Sequence, residues 1–430
     1  MSLKLWMWLG IGWLLAACAG APEPVATEHL ITNTSTSAQL ITPTLEPPPQ
    51  PTSAPIQPVT LSLWFPVALA PLDNVDAAEL LSEQISRFRG GDAQTERVTV
   101  DFRLKTADQE GGIMATLRTA SAVAPGAMPH VTLVRRSDLV AAVEAGLIVP
   151  IGEGSSTARA VLANYAPIVQ RLGRVDGILY GLPYNIDVQH VVYAGDTAPT
   201  TMFAAELTDS LPILFPAGAT NTISDVLLAQ YREAADMLDD DQLTLDVDPL
   251  RIVFTYYERA VEAGLIDAAV LEYTQPADYA DLLASGDVAG VVTSSMYLNM
   301  GDQVLYAPLP TQSGAGATVV DGWMWVITTR DVEEQALALR FIGWMMDVER
   351  QAAYHQAIGV LPSQTNALNR WSDADYAVFV EGLLEQGTLP LVDGDSANRA
   401  RAIASAFAAV LAGRESAITA ASEVASQLNP

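Results

Sequence analysis

Ten side chains in this 430-residue chain combine types and placements suited to holding a small polar molecule: Trp64, Arg135, Arg136, Asp138, Tyr184, Asp187, Tyr297, Asp321, Trp323 and Trp325. Each lies at the end or bend of an apolar, β-rich run. Indole and phenol rings pair an apolar face with a polar tip, which fits the C–H faces of a sugar, and carboxylates accept hydrogen bonds from hydroxyls. Arg135 and Arg136 keep an anionic solute open, because guanidinium forks suit phosphate or carboxylate. Against each stands the plainer reading, a core side chain or a solvated surface group.

Turnover chemistry has little support. The histidines are His29, His130, His190 and His355, none spaced as a metal ligand to another or to the lone Cys18. No nucleophile elbow or phosphate loop occurs, so neither a metal nor a cofactor is expected. Among 50 acidic residues a pair resembling a glycosidase dyad can always be picked, and without geometry the pick means nothing. A secreted glycosidase is therefore a distant alternative to a binding protein.

The elements that must position these groups follow from hydrophobic period. Gly177 to Tyr193 reads as two strand pieces joined at a bend, since Pro183 cannot donate to a central ladder, and Asn185 and Asp187 sit at that bend. Upstream, Val59–Phe65, Arg97–Leu104 and Val131–Val134 read as strands. Ala77–Arg89, Thr116–Ala124 and Ser137–Ala145 read as helices, the last with Ser137 at its N-cap and Gly146 as its stop. Alternation of this kind predicts an α/β fold with a mostly parallel sheet and ligands at the carboxyl ends of the strands. Val319–Ile327 alternates so that Asp321, Trp323 and Trp325 share one face. Leu337, Phe341, Trp344, Met345 and Met346 form the core face of a helix capped by Asp331.

Composition narrows the class. Half of the residues are hydrophobic and 17% are charged, enough for a large core and more than one domain. A net charge of −28 repels nucleic acid and anionic membrane surfaces. Lys4 followed by the apolar run Leu5–Leu15 is too short to span a ~30 Å bilayer core and reads as an export signal. Cys18, directly after Leu15-Ala16-Ala17, resembles the bacterial lipobox cysteine that is cleaved and acylated, which makes residues 1–17 a signal peptide. Residues 18–58 then hold the lipidated cysteine and a Pro/Thr/Ser tether, unable to bury enough apolar surface to fold and long enough to reach roughly 100 Å from a membrane anchor.

The runs Pro129–Val134, Ala141–Ile151 (AAVEAGLIVPI) and Gly177–Tyr193 resemble, in order and spacing, motifs of the extracellular solute-binding proteins of family 1, the maltose-binding group of ATP-binding-cassette importers. Leu283–Tyr297, Tyr306–Trp325 and Ala336–Leu368 resemble three further family segments. The resemblance covers nearly all of residues 59–430. It implies a class II periplasmic-binding-protein-like fold, with two α/β lobes joined by a multi-segment hinge around a central cleft. One lobe would hold 59–184 and 324–362, the other 185–323 and 363–430. It also implies capture of a small solute, most often a sugar or polyol, by lobe closure and delivery to membrane permease subunits. Within it, Trp323 and Tyr297 occupy positions where the family stacks a sugar. Ala194-Gly195-Asp196 and the short, acidic stretch between Leu207 and Asp267 depart from the family pattern and leave the second lobe's contacts open. A sensory lipoprotein reporting to a membrane receptor is the closer alternative.

Overall fold

The computed structural model describes residues 58–88, 97–107, 111–207, 210–219, 222–301, 304–392 and 396–428. All of them fall within one compact unit, residues 55–430. Cys18, the signal segment and the tether lie outside the described residues.

The strands are β1 Pro58–Pro66, β2 Arg97–Lys105, β3 Val131–Arg135, β4 Arg174–Val175, β5 Ile178–Leu179, β6 Gly181–Pro183, β7 Asn185–Tyr193, β8 Ile213–Leu214, β9 Ala289–Thr293, β10 Leu305–Ala307, β11 Thr318–Asp321, β12 Trp323–Ile327, β13 Leu361–Pro362 and β14 Gly387–Thr388. One sheet has the order β2-β1-β3-β12-β6 and another the order β14-β11-β7-β9-β8, with β10 and β13 also pairing with β7. In the first sheet β1 is flanked by β2 and β3, and Leu61, Leu63 and Phe65 are fully buried there, as expected of a central strand covered on its faces.

The expected mostly parallel sheet is realised only in part: β1 is parallel to β2 and β3, β8 to β9 and β11 to β14. β12 runs antiparallel to β3 and β6, and β7 is antiparallel to β9, β10, β11 and β13. The crossing strands are the reason. Chain entering one sheet from the other, through β6 into β7 and through β11 into β12, arrives against the direction set by the βαβ units.

Crossings occur at Tyr184 and at Gly322, and β13 adds a third by pairing Leu361 and Pro362 with Ile186 and Asn185. Gly322 is a close approach: a Cβ placed there would stand 2.1 Å from the Asn185 carbonyl oxygen. Gln351 fastens the third crossing, its Nε2 donating to the Tyr184 carbonyl at 2.7 Å and to Ser363 Oγ at 3.1 Å. Two hydrophobic cores result. One gathers Leu63, Leu133, Leu182, Trp325 and Phe341; the other gathers Val226, Phe254, Val291 and Phe407. Val380 and Leu383 of the helix Ala374–Glu385 pack in the first core, although β14, two residues after that helix, belongs to the second sheet.

Helix starts moved from their expected places. The helix expected from Ala77 begins at Val75, because Asn74 Oδ1 caps it by accepting from Ala77 N at 3.0 Å. The helix expected to open on Ser137 runs Arg136–Glu144 with no side-chain cap of its own. Its end matches the expectation, with Gly146 at φ 62°. Asp331 caps the helix Val332–Met345 through Glu333 N and Glu334 N at 2.9 and 3.0 Å. No helix of the described residues is long and apolar enough to cross a membrane.

Candidate functional site

The ends of β3 and β11 and the starts of β7 and β12 converge where the chain crosses between sheets. Asp321 stands directly opposite Asp187 in the β11/β7 ladder, and Trp323 opposite Arg135 in the β12/β3 ladder. Both pairs are cross-strand neighbours, whose side chains share a face. The Arg135 guanidinium carbon lies 4.9 Å from the Trp323 ring centroid, a cation–π arrangement. Trp323 N donates to Asn185 Oδ1 at 3.1 Å, which ties the start of β12 to the start of β7.

Asp187 is well satisfied. It accepts from Ser294 Oγ at 2.6 Å, Ser295 N at 3.0 Å and Ser295 Oγ at 2.6 Å, at the start of the short helix Ser294–Tyr297. Desolvation nevertheless raises its pKa, against the pull of those hydrogen bonds. Asp321 is also raised, first by desolvation and then by the charge of Asp187, while the N–H groups of Gly322 and Arg136 and the charge of Arg135 act in the other sense. Its Oδ1 is shut off from solvent and has no hydrogen-bond partner among the described residues. The Arg136 N–H, at the first residue of its helix, is thus met by Asp321 from another strand.

Two further groups join this face. Gln189, two residues along β7 from Asp187, donates from Nε2 to Asp225 Oδ2 at 3.3 Å. Asp225, the first residue of the helix Asp225–Ala234, is exposed by area. Desolvation by neighbouring protein, with the negative charge of Asp321 second, pushes it up to about 6, against the Gln189 hydrogen bond and Arg232. Gln189, Asp225, Ser294 and Ser295 were not among the sequence candidates. For Asp225, Ser294 and Ser295 the legible signal is their place at helix starts, where serine and aspartate sit beside exposed N–H groups; Gln189, inside a strand, carried none.

The candidates thus divide. Arg135, Asp187, Asp321 and Trp323 come together, with Asp138 half-buried in the first turn of the adjoining helix. Trp323 is only 6% exposed, so most of its ring is covered in this arrangement of the lobes. Arg136 does not present a fork to a solute. It is 7% exposed and its Nη1 donates to the carbonyls of Leu172, at 3.1 Å, and Arg174.

Tyr184 and Trp325 correct the expectation more sharply. Both are fully buried, their ring centroids 5.0 Å apart, packed with Phe65 and, on the Trp325 side, Phe341. The alternation of β12 does put Trp323 and Trp325 on one face, and the helix Val332–Met345 covers the deeper of the two. Trp64, 4% exposed, is a sheet residue with Lys105 Nζ 4.9 Å from its ring. Tyr297 turns into an aromatic box with His190, Tyr306 and Tyr376, at centroid distances of 5.2, 5.6 and 4.6 Å. Among the described residues no group of three or more His, Cys, Asp or Glu side chains has the geometry to hold a metal ion.

The chain is thus a two-lobed α/β frame whose crossing strands gather Arg135, Asp187, Asp321 and Trp323. Residues 93–379 match the family model of bacterial extracellular solute-binding proteins, and the chain belongs to that family, as its motifs implied. No curated protein matches it by sequence. The fold is shared with solved structures. The cyclic α-maltosyl-1,6-maltose binding protein of Arthrobacter globiformis is 14% identical, with a TM-score of 0.64, over 87% of this chain and 98% of that one. The sugar-binding protein MalE of Xanthomonas citri is 19% identical, with a TM-score of 0.62, over 86% and 96%. An extracellular solute-binding protein family 1 member from Alicyclobacillus acidocaldarius is 17% identical, with a TM-score of 0.59, over 87% and 98%.

Proposed function

We propose that this protein captures a carbohydrate in the crevice between its lobes and delivers it to the permease of an ATP-binding-cassette importer. The carrying observation is the convergence of Asp321, Asp187, Trp323 and Arg135 at the crossing strands, where acceptors for hydroxyls adjoin an indole. The sugar-binding names of its structural relatives support the same ligand class. Closure follows from the frame: extended segments at Tyr184, Gly322 and Leu361 join the sheets and can absorb the dihedral change of lobe rotation. Cys18, acylated, would hold the exported protein at the outer face of the cytoplasmic membrane through the tether. The residues assigned to the solute are Arg135, Asp138, Asp187, Asp321 and Trp323, with Gln189 and Asp225.

A thermal-shift screen of neutral oligosaccharides, polyols and sugar phosphates, followed by calorimetry, tests the reading, since a ligand that binds only the folded state raises stability by RT ln(1 + [L]/Kd). A saccharide that raises the melting temperature with the logarithm of its concentration above Kd is the expected result. A panel in which amino acids or peptides shift the protein and no saccharide does would overturn it.

A further inference from the structure

The cleft face carries the carboxylates of Asp187, Asp225 and Asp321, and the arginines near it are turned away or occupied. Arg136 spends its guanidinium on backbone carbonyls. Arg232, 1% exposed, is pinned by Nη1 to Thr388 Oγ1 at 2.8 Å and the Leu389 carbonyl at 2.7 Å. Arg135 lies against Trp323 and faces Asp321, leaving one cation against three carboxylates.

The unmet hydrogen-bonding capacity at this face points the same way. Asp321 Oδ1 and Gln189 Oε1 are acceptors cut off from solvent with no partner among the described residues. A buried acceptor left without a donor is costly, and a ligand N–H or O–H can recover that cost. Asp187 already has its donors, so it contributes charge and position. The charge of −28 over the whole chain draws cations toward the molecule and repels anions.

We infer that the solute carries a protonated amine beside its hydroxyls, as an amino sugar or amino-oligosaccharide does, with Asp225, Asp321 and Gln189 selecting the ammonium and rejecting phosphate and uronate groups. This rests on the carbohydrate reading and sharpens it. An ammonium supplies several N–H donors and a charge at one point, where a neutral hydroxyl supplies one donor and no charge. The groups facing Asp225 are Gln189 from β7, Asp321 from β11 and Arg232 from its own helix.

The test is calorimetry on the purified full chain with matched trisaccharides: maltotriose as the neutral probe, a glucosamine trimer as the amine and trigalacturonate as the anion. At pH 7 the glucosamine trimer binds at least tenfold more tightly than maltotriose, and trigalacturonate binds most weakly. Asp225→Asn and Asp321→Asn each narrow the gap between amine and neutral probe, and the comparison of the three probes on the unaltered chain needs no variant to fold. Equal affinity for the neutral and amine probes sinks this inference while leaving the carbohydrate reading intact. Preferred binding of trigalacturonate sinks it as well. Binding of none of the three overturns both.

Discussion

Arg171, on the helix Pro167–Leu172 of the first core, reaches Asp241 at 2.5 Å and also grips Asp239, by its carboxylate and by its carbonyl at 2.8 Å. Asp239 and Asp241 follow the helix Asp225–Ala234, which packs in the second core, so one guanidinium ties the two together. The carboxylates are 96% and 55% exposed, and solvent screens such pairs. A double-mutant cycle of Arg171→Ala and Asp241→Asn should therefore give a coupling of only about 0.5–1 kcal/mol, reduced at 0.5 M salt. A coupling of zero at low salt would show that the contact does not hold the lobes.

The two indoles of β12 should behave differently. Trp325, fully buried among Phe65, Tyr184 and Phe341, should lose ~3–5 kcal/mol of stability on truncation to alanine, with unchanged affinity per folded molecule. Trp323→Ala should cost less stability and lower saccharide affinity at least ~10-fold, a change of ~1.4 kcal/mol. Chemical denaturation and calorimetry on both variants separate the cases, and a reversed order would exchange their roles.

Acid should destabilise the fold through two buried histidines. His190 and His355 are fully buried and lowered to about 4 by desolvation, whereas unfolded histidine titrates near 6.5. Above pH ~6.5 both states are neutral; as pH falls toward 4 the unfolded chain takes protons that the fold refuses, so stability is lost across that window. Each histidine accounts for about 3 kcal/mol once pH is below 4, at ~1.4 kcal/mol per unit. Asp225 acts in the opposite sense, because its raised pKa relieves strain as pH falls through about 6. Urea midpoints from pH 7.5 to 4.5 test the balance, and a stability that rises throughout would mean that the carboxylate outweighs the histidines.

Lobe closure predicts a smaller particle on binding. Small-angle scattering with a confirmed ligand should show a reduced radius of gyration, with the circular dichroism unchanged. Equal radii would point to a cleft that does not move.

For the membrane anchor, Cys18→Ser should shift the protein from the detergent phase to the aqueous phase of a Triton X-114 extraction. Wild-type protein found in the aqueous phase would count against acylation.

Local chemistry made much of the frame legible. Pro183 forced the break between β6 and β7, Gly146 ended its helix and Asp331 began another. The sequence did not disclose what covers a face. Period-2 alternation placed Trp323 beside Trp325, but whether an indole meets solvent depends on Phe341, contributed by a helix that follows β12. For the same reason Asp187 was legible as a polar residue at a bend, while its partners Ser294 and Ser295, more than a hundred residues away, were not. Asp225 escaped because its significance lies in Asp321 and Gln189, which only the fold brings near it.

The contact at Gly322 has a mechanical consequence. With the Asn185 carbonyl oxygen 2.1 Å from where a side chain would begin, and the backbone N–H of Tyr184 bonded to the Trp323 carbonyl at 2.7 Å, the first two crossings are joined like the leaves of one axle. Such strands cannot slide past each other without breaking those contacts, which favours rotation over shear as the motion by which the proposed closure would proceed. A methyl group at position 322 would wedge the axle apart.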